Sequence, residues 1–260
     1  MPVRVGEEVQ EVPRGVSGAS ASLRNQKTLW RLMMAIMNNE GALVEQLLAS
    51  EPSLAAEHLI MGATRQRAKD FFFKEIVHYL YSGDTALHAA AAGYRKNIAE
   101  QLLKNGANVA AVNRRGATPL HYAADGHPSS GGWNPTAQAE IIALLIKAGA
   151  NPNALDKSGV APLHRSVRQR CASAVGSLLR NGASVRLKNK SGSTPLHLAV
   201  QNTGRGGSGS PEAKALQREV IELLLKAGAS ANDRDARGTT VRQAAQSNRI
   251  SVLDLSTERD

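Results

Sequence analysis

Four histidines recur along the chain, His88, His121, His164 and His197, separated by 33, 43 and 33 residues. Imidazoles are common metal ligands and general bases, so a converging set would mark a metal or proton-transfer site. A spacing this regular argues against convergence, because it assigns one ring to each of several similar units. The single cysteine, Cys171, stands beside Arg168 and Arg170. Cationic neighbours lower a thiol pKa and favour a nucleophile. No histidine or carboxylate lies close in sequence to act as base, so the expectation is a packed, unreactive thiol. One cysteine also excludes an internal disulfide framework and a Cys-based zinc site. The stretch Gly204-Arg205-Gly206-Gly207-Ser208-Gly209 invites comparison with a phosphate-binding loop. It lacks the following Lys-Ser or Lys-Thr and the preceding strand that such loops require. Its backbone N–H groups ahead of a helix start can still hold an anion, although a flexible inter-helix link accounts for it as well. No catalytic constellation emerges, and no metal or cofactor is implied.

Charge is the stronger chemical signal. The 260 residues include 32 Lys and Arg against 22 Asp and Glu, a formal net charge of +10. Residues 1–83 are balanced at nine against nine, 114–156 at three against three, and 191–233 at four against four. Residues 84–113 and 234–260 each contribute one net positive charge. Residues 157–190 carry eight basic side chains and no acidic one: Lys157, Arg165, Arg168, Arg170, Arg180, Arg186, Lys188 and Lys190. Uncompensated like charges repel, and this costs stability unless something neutralises them. Arginine forks fit carboxylate or phosphate bidentately. The competing reading is a solvated basic face that only maintains solubility. Aromatics make up 3% of the chain, and five of the nine lie between Phe71 and Tyr81. That is too sparse for a base-stacking platform, so nucleic acid is disfavoured.

The elements that position these groups follow a repeat. Gly83-Asp84-Thr85-Ala86-Leu87-His88, Gly116-Ala117-Thr118-Pro119-Leu120-His121, Gly159-Val160-Ala161-Pro162-Leu163-His164 and Gly192-Ser193-Thr194-Pro195-Leu196-His197 align. Each leads into helix formers, then paired apolar residues, then Gly106-Ala107, Gly149-Ala150, Gly182-Ala183 or Gly228-Ala229. Thr ahead of Pro supplies a helix N-cap and a first-turn residue, and Gly after a helix end accepts a left-handed backbone. Small pairs such as Ala89-Ala90 and Ala123-Ala124 let helices approach closely. The pattern resembles the ankyrin repeat, over about residues 28–255. The resemblance implies an all-α solenoid of helix-turn-helix units with β-hairpin finger loops. It also implies structural histidines that hydrogen-bond the backbone of the adjoining turn.

The expected organisation is a disordered tail at 1–26, then a capping helix pair plus insertion at 27–82. Four full repeats follow within 83–233, approximately 83–115, 116–158, 159–191 and 192–237, with a capping partial repeat and tail at 238–260. Three insertions interrupt the stack. The first holds Phe71 to Leu80, whose apolar positions 72, 73, 76, 77 and 80 fit a helix, although an extended finger strand fits nearly as well. Its simplest role is a larger cap that covers clustered aromatics. The second and third lengthen the inter-helix connections of repeats two and four, around residues 126–135 and 203–211. Each ends in a cap plus proline, Asn134-Pro135 and Ser210-Pro211. Two raised edges flanking an unextended third repeat would form a notch.

The resemblance implies a non-catalytic scaffold that presents fingers and first helices to a protein partner, here one with an acidic surface. The residues expected to face it are Arg114, Arg115, Lys157, Arg165, Arg168, Gln169, Lys188, Lys190 and Arg237. The alternative is a small anionic or phosphorylated ligand in the notch, held by His127, Trp133, Arg168, Arg170 and Arg205. No run of about 18 apolar residues offers a membrane span, and no apolar stretch in the first 26 residues reads as a secretory signal. A cytoplasmic monomer is the expectation, with export by a signal-independent route left open.

Overall fold

The fold starts from its helix caps. In a computed structural model, which describes residues 20–128, 132–203 and 208–250, each of the four aligned segments that end in Leu-His opens a short helix. These first helices are α3 (Ala86–Ala92), α5 (Pro119–Ala124), α7 (Pro162–Arg168) and α9 (Pro195–Ala199). The backbone N–H of Thr85, Thr118, Ala161 and Thr194 donates to Nδ1 of the histidine three residues on, at 3.1, 3.1, 3.2 and 3.2 Å. Because Nδ1 accepts, the proton sits on Nε2. That atom donates to Ala117, Val160, Ser193 and Thr239 carbonyls of the next unit at 2.9–3.3 Å. Each ring therefore closes its own helix start and tethers the following repeat. Gln243 takes the same place in the last unit, where Oε1 accepts from Thr240 N–H at 2.9 Å.

The first helices stack in one row, extended by α1 (Ser20–Met37) before and α11 (Val241–Ser247) after. The second helices α2 (Gly41–Ser50), α4 (Lys96–Lys104), α6 (Pro135–Lys147), α8 (Ala172–Arg180) and α10 (Pro211–Lys226) form the other row. Alanine and leucine fill the space between rows, with Ala89, Ala90, Leu120, Ile142, Val175 and Leu196 wholly buried. The architecture is an all-α solenoid. No helix among the described residues is long and apolar enough to cross a membrane. Helix α1 begins at Ser20, inside the segment expected to be a tail, and Gln26 pins it by bonding His58 O and Ile60 N at 3.0 and 3.2 Å. The remainder of that expected tail, residues 1–19, lies outside the described residues.

Between the helix pairs, fingers are joined tip to tip. Arg114, Lys157, Lys190 and Ala236 donate their backbone N–H to Ser82, Arg115, Ser158 and Ser191 carbonyls at 2.8–3.2 Å. Each finger turn is tied by one side chain, Asn113, Asp156, Asn189 or Asp235, whose Oδ1 accepts two backbone N–H groups. Gly192 (φ 72°) is required at such a turn, since a Cβ there would lie 2.3 Å from the backbone nitrogen of Ala236.

The two lengthened connections raise a bonding problem that glutamine solves. In unextended repeats, Ala90 O and Ser166 O accept from the backbone N–H of Arg95 and Cys171, both at 2.9 Å. The insertions move that backbone away. Gln138 of α6 then donates to Ala123 and Asp125 carbonyls at 3.0 Å each, and Gln217 of α10 to Ala199 and Gln201 at 2.7 and 2.6 Å. Asn134 and Ser210 cap these helices by accepting from the N–H three residues on. Helices α6 and α10 span 13 and 16 residues against 9 for α4 and α8.

The first insertion is not helical at Phe72–Leu80. Residues Phe72–Phe73 (β1) and His78–Tyr79 (β2) pair antiparallel, with Phe72 opposite Tyr79 and Phe73 opposite His78. Alternation explains the choice. Phe71 and Phe73 are buried on either side of the exposed Phe72, and Leu80 is buried after the exposed Tyr79, the period of two that a strand imposes. The hairpin lies across the first-helix row. Phe71 and Phe73 meet Trp30 of α1 edge-on, Ile76 abuts Gly93 beyond α3, and His78 stacks on Tyr122 of α5 at 4.1 Å. The chain thus covers its own groove over the cap and the first two repeats.

Candidate partner-binding surface

The third repeat's cations divide by position along their helix and finger. Arg165 opens the second turn of α7 and faces back toward repeat two. Its guanidinium bonds Asp125 Oδ2 at 2.7 Å and Asp156 Oδ2 at 3.1 Å, with the three side chains 12, 13 and 9% exposed. Burial works against ionisation of Asp125, yet Arg165 and then His78 outweigh it and hold the carboxyl well below the usual carboxylate range. Asp156 is lowered in the same sense, against burial, by Val160 and Ser158 N–H donors and by Arg165. Arg165 is therefore removed from the predicted partner-facing set: it is an internal brace. Its counter-charges lie outside residues 157–190, which is why counting within that segment left it uncompensated.

A polar network continues from this brace into the first repeat. His78 Nε2 lies 3.4 Å from Asp125 Oδ2, and Tyr94 Oη donates to Asp125 O at 2.6 Å. Tyr122 Oη donates to Asp84 Oδ2 at 2.6 Å, and Asn113 Nδ2 reaches Asp84 Oδ1 at 2.9 Å. Sequence reasoning missed this network. Repeat register gave no signal for it, because Asp125 follows His121 by four residues, just beyond α5, whereas Arg165 follows His164 by one.

Arg170 also departs from expectation. It occupies the corner between α7 and α8 in a left-handed conformation (φ 60°) and donates to the Asn202 carbonyl at 3.2 Å. Trp133 donates to Gln138 Oε1 at 2.9 Å, so its indole N–H serves the inter-helix connection. His127 Nε2 lies 3.2 Å from Val77 O of the hairpin tip. Three of the five predicted notch residues thus serve contacts within the chain, and Arg205 lies outside the described residues. Cys171 is buried, and burial pushes its thiol up to about 12. The packed, unreactive reading fits that environment. A Cβ at Gly126 would lie 2.5 Å from its sulfur, so the site has no room beside the thiol.

Six cations of residues 157–190 remain exposed: Lys157, Arg168, Arg180, Arg186, Lys188 and Lys190. None makes an ion pair among the described residues. Arg168 ends α7, with the half-buried Gln169 after it, and Arg180 ends α8. Lys157 and Lys190 stand on successive finger turns, and Lys188 donates to Arg234 O at 2.8 Å, which links the third and fourth fingers. Arg237 is exposed on the fourth. Arg114 and Arg115 are exposed but engaged. Arg114 donates to Ala63 O, and both guanidiniums cover the Tyr81 ring at 5.4 and 5.1 Å. The fingers bring together the basic residues that the sequence separates by a full repeat.

A family model for ankyrin repeats (3 copies) matches residues 32–130 and 136–235. Among curated proteins, a mitochondrial disaggregase from Bos taurus is 32% identical over 133 residues. That match covers 45% of this chain and 20% of the relative, so the chain spans about a fifth of the relative's length.

Proposed function

Since the chain belongs to the ankyrin-repeat family, we propose that it is a non-catalytic, monomeric scaffold that binds a protein partner through an acidic surface. The observation that carries this reading is the set of exposed cations on the third repeat and its fingers that make no ion pair among the described residues. Ankyrin repeats generally mediate protein contacts and not catalysis. A rigid stack loses little conformational entropy on binding, and clustered charge steers encounter. Arg168, Lys188 and Lys190 form the centre of the surface, flanked by Lys157, Gln169 and Arg237, with Arg114 and Arg115 at its margin.

Affinity capture in low salt, read by mass spectrometry, tests the proposal. The Arg168→Glu/Lys188→Glu variant is expected to lose the captured partner. Unchanged capture by a folded variant would refute the charge-based reading.

A further inference from the structure

The exposed large apolar side chains are confined to one part of the stack, where they share the surface with basic residues such as Arg65, Lys74, Arg114 and Arg115. Every exposed large hydrophobic residue among those described lies between Ile60 and Leu155, and the cation run begins at Lys157. One finger position does divide apolar from basic. The residue preceding the turn-forming Asn or Asp is Val112 in the first finger, Leu155 in the second, Lys188 in the third and Arg234 in the fourth. Val112 is 58% exposed and Leu155 49% exposed, and Lys188 and Arg234 are exposed too. Equivalent positions on fingers joined tip to tip thus read apolar, apolar, basic, basic.

We infer that this row binds a polypeptide segment with two blocks, its apolar side chains on the first and second fingers and its carboxylates on the third and fourth. The inference rests on the proposed protein-binding function and specifies the partner's chemistry. Continuity comes from the backbone ladder: Lys157 N–H meets Arg115 O and Lys190 N–H meets Ser158 O, so successive fingers present their side chains in register. The hairpin enlarges the apolar end. Phe72 and Tyr79, 40 and 39% exposed, pair at 4.8 Å on its outer face. Tyr81, two residues on, lies under the Arg114 and Arg115 guanidiniums that lead to the finger tips. An all-acidic segment leaves Val112 and Leu155 in water, and an all-apolar one leaves Lys188 and Arg234 without counter-charge. Only a segregated segment satisfies both ends, with apolar burial adding affinity and charge fixing direction.

The test uses the full chain and fluorescein-labelled peptides of one composition, half Glu and half Leu/Phe, read by fluorescence anisotropy. Two peptides carry the blocks in opposite orders, and a third alternates them. One block order is expected to bind about tenfold more tightly than the alternating peptide. Val112→Ser/Leu155→Ser is expected to erase that advantage while leaving the salt dependence, whereas Lys188→Glu/Arg234→Glu removes binding at low salt. Leu155→Lys serves as a gain-of-function control and should tighten an all-Glu peptide. Equal affinity for blocked and alternating peptides, or no effect of Val112→Ser/Leu155→Ser in a folded protein, overturns the inference. If the charge-reversed variant alone loses binding, the acidic-partner reading stands and the two-block inference falls. If no acidic peptide binds, both fall.

Discussion

Replacing Arg165 with methionine tests whether this residue is a brace or a contact. Methionine matches the aliphatic stem of arginine and removes the charge, so the packing loss is small and the electrostatic loss dominates. Asp125 and Asp156 are left almost fully buried, at 13 and 9% exposure. Breaking a buried ion pair from one side costs about 3–5 kcal/mol. The low end applies here, since Asp156 keeps N–H donors from Ser158 and Val160, and His78 still faces Asp125. We therefore expect a loss of about 3 kcal/mol at pH 7, read as a shift of the urea midpoint. The pH dependence carries the sign. In the native protein Asp125 has a depressed pKa, so its contribution is present above the unfolded carboxylate pKa and is lost as pH falls through the folded value. Without Arg165, burial raises the Asp125 pKa, and protonation relieves the stranded charge. The gap between native protein and variant should then narrow as pH drops from 7 toward the unfolded carboxylate range. Adding Asp125→Asn should recover part of the loss at pH 7. A stability change below about 0.5 kcal/mol, the level of an ordinary surface substitution, would refute the brace and return Arg165 to the partner surface. So would a gap that does not vary with pH.

Three further outcomes follow from the same geometry. Gln138→Leu leaves the Ala123 carbonyl without its donor and the Trp133 indole N–H without its acceptor, while Tyr94 Oη still serves the Asp125 carbonyl, and should cost about 1–3 kcal/mol in urea unfolding; a neutral result would mean the inter-helix connection relaxes to satisfy them. Burial, with Arg165 adding to it, lowers His121 to about 4, so folding favours the neutral ring. Its stabilising contribution is complete above the unfolded imidazole pKa and is lost as pH falls toward the folded value, at about 1.4 kcal/mol per pH unit. His121→Gln should flatten that slope while keeping the cap, as Gln243 does in the last unit; an unchanged slope would place the titration elsewhere. Cys171 should resist a thiol reagent at pH 8 in the folded protein and react on unfolding, whereas rapid stoichiometric labelling of the native chain would contradict its burial.

Local chemistry made the stack readable from sequence. A threonine, a proline and a histidine at fixed offsets specify a capped helix start, and Gly106, Gly149, Gly182 and Gly228 each adopt the positive φ expected after a helix. The longer second helices after Asn134-Pro135 and Ser210-Pro211 were legible for the same reason. Gln138 and Gln217 were not, because nothing in a glutamine's neighbours along the chain tells which carbonyls an insertion has orphaned. The Phe71–Leu80 segment was ambiguous because short apolar runs satisfy both periods, and only Trp30 and Tyr122 from distant helices selected the hairpin.

Residues close along the chain encode the repeat, its caps and the eight cations between 157 and 190. Tertiary structure decided which of those cations are available. Helix stacking set Arg165 against Asp125, the corner geometry turned Arg170 onto Asn202, and the finger ladder aligned Lys188 with Arg234. Charge compensation is a short-range interaction in space, and a count along the chain registers only short range in sequence.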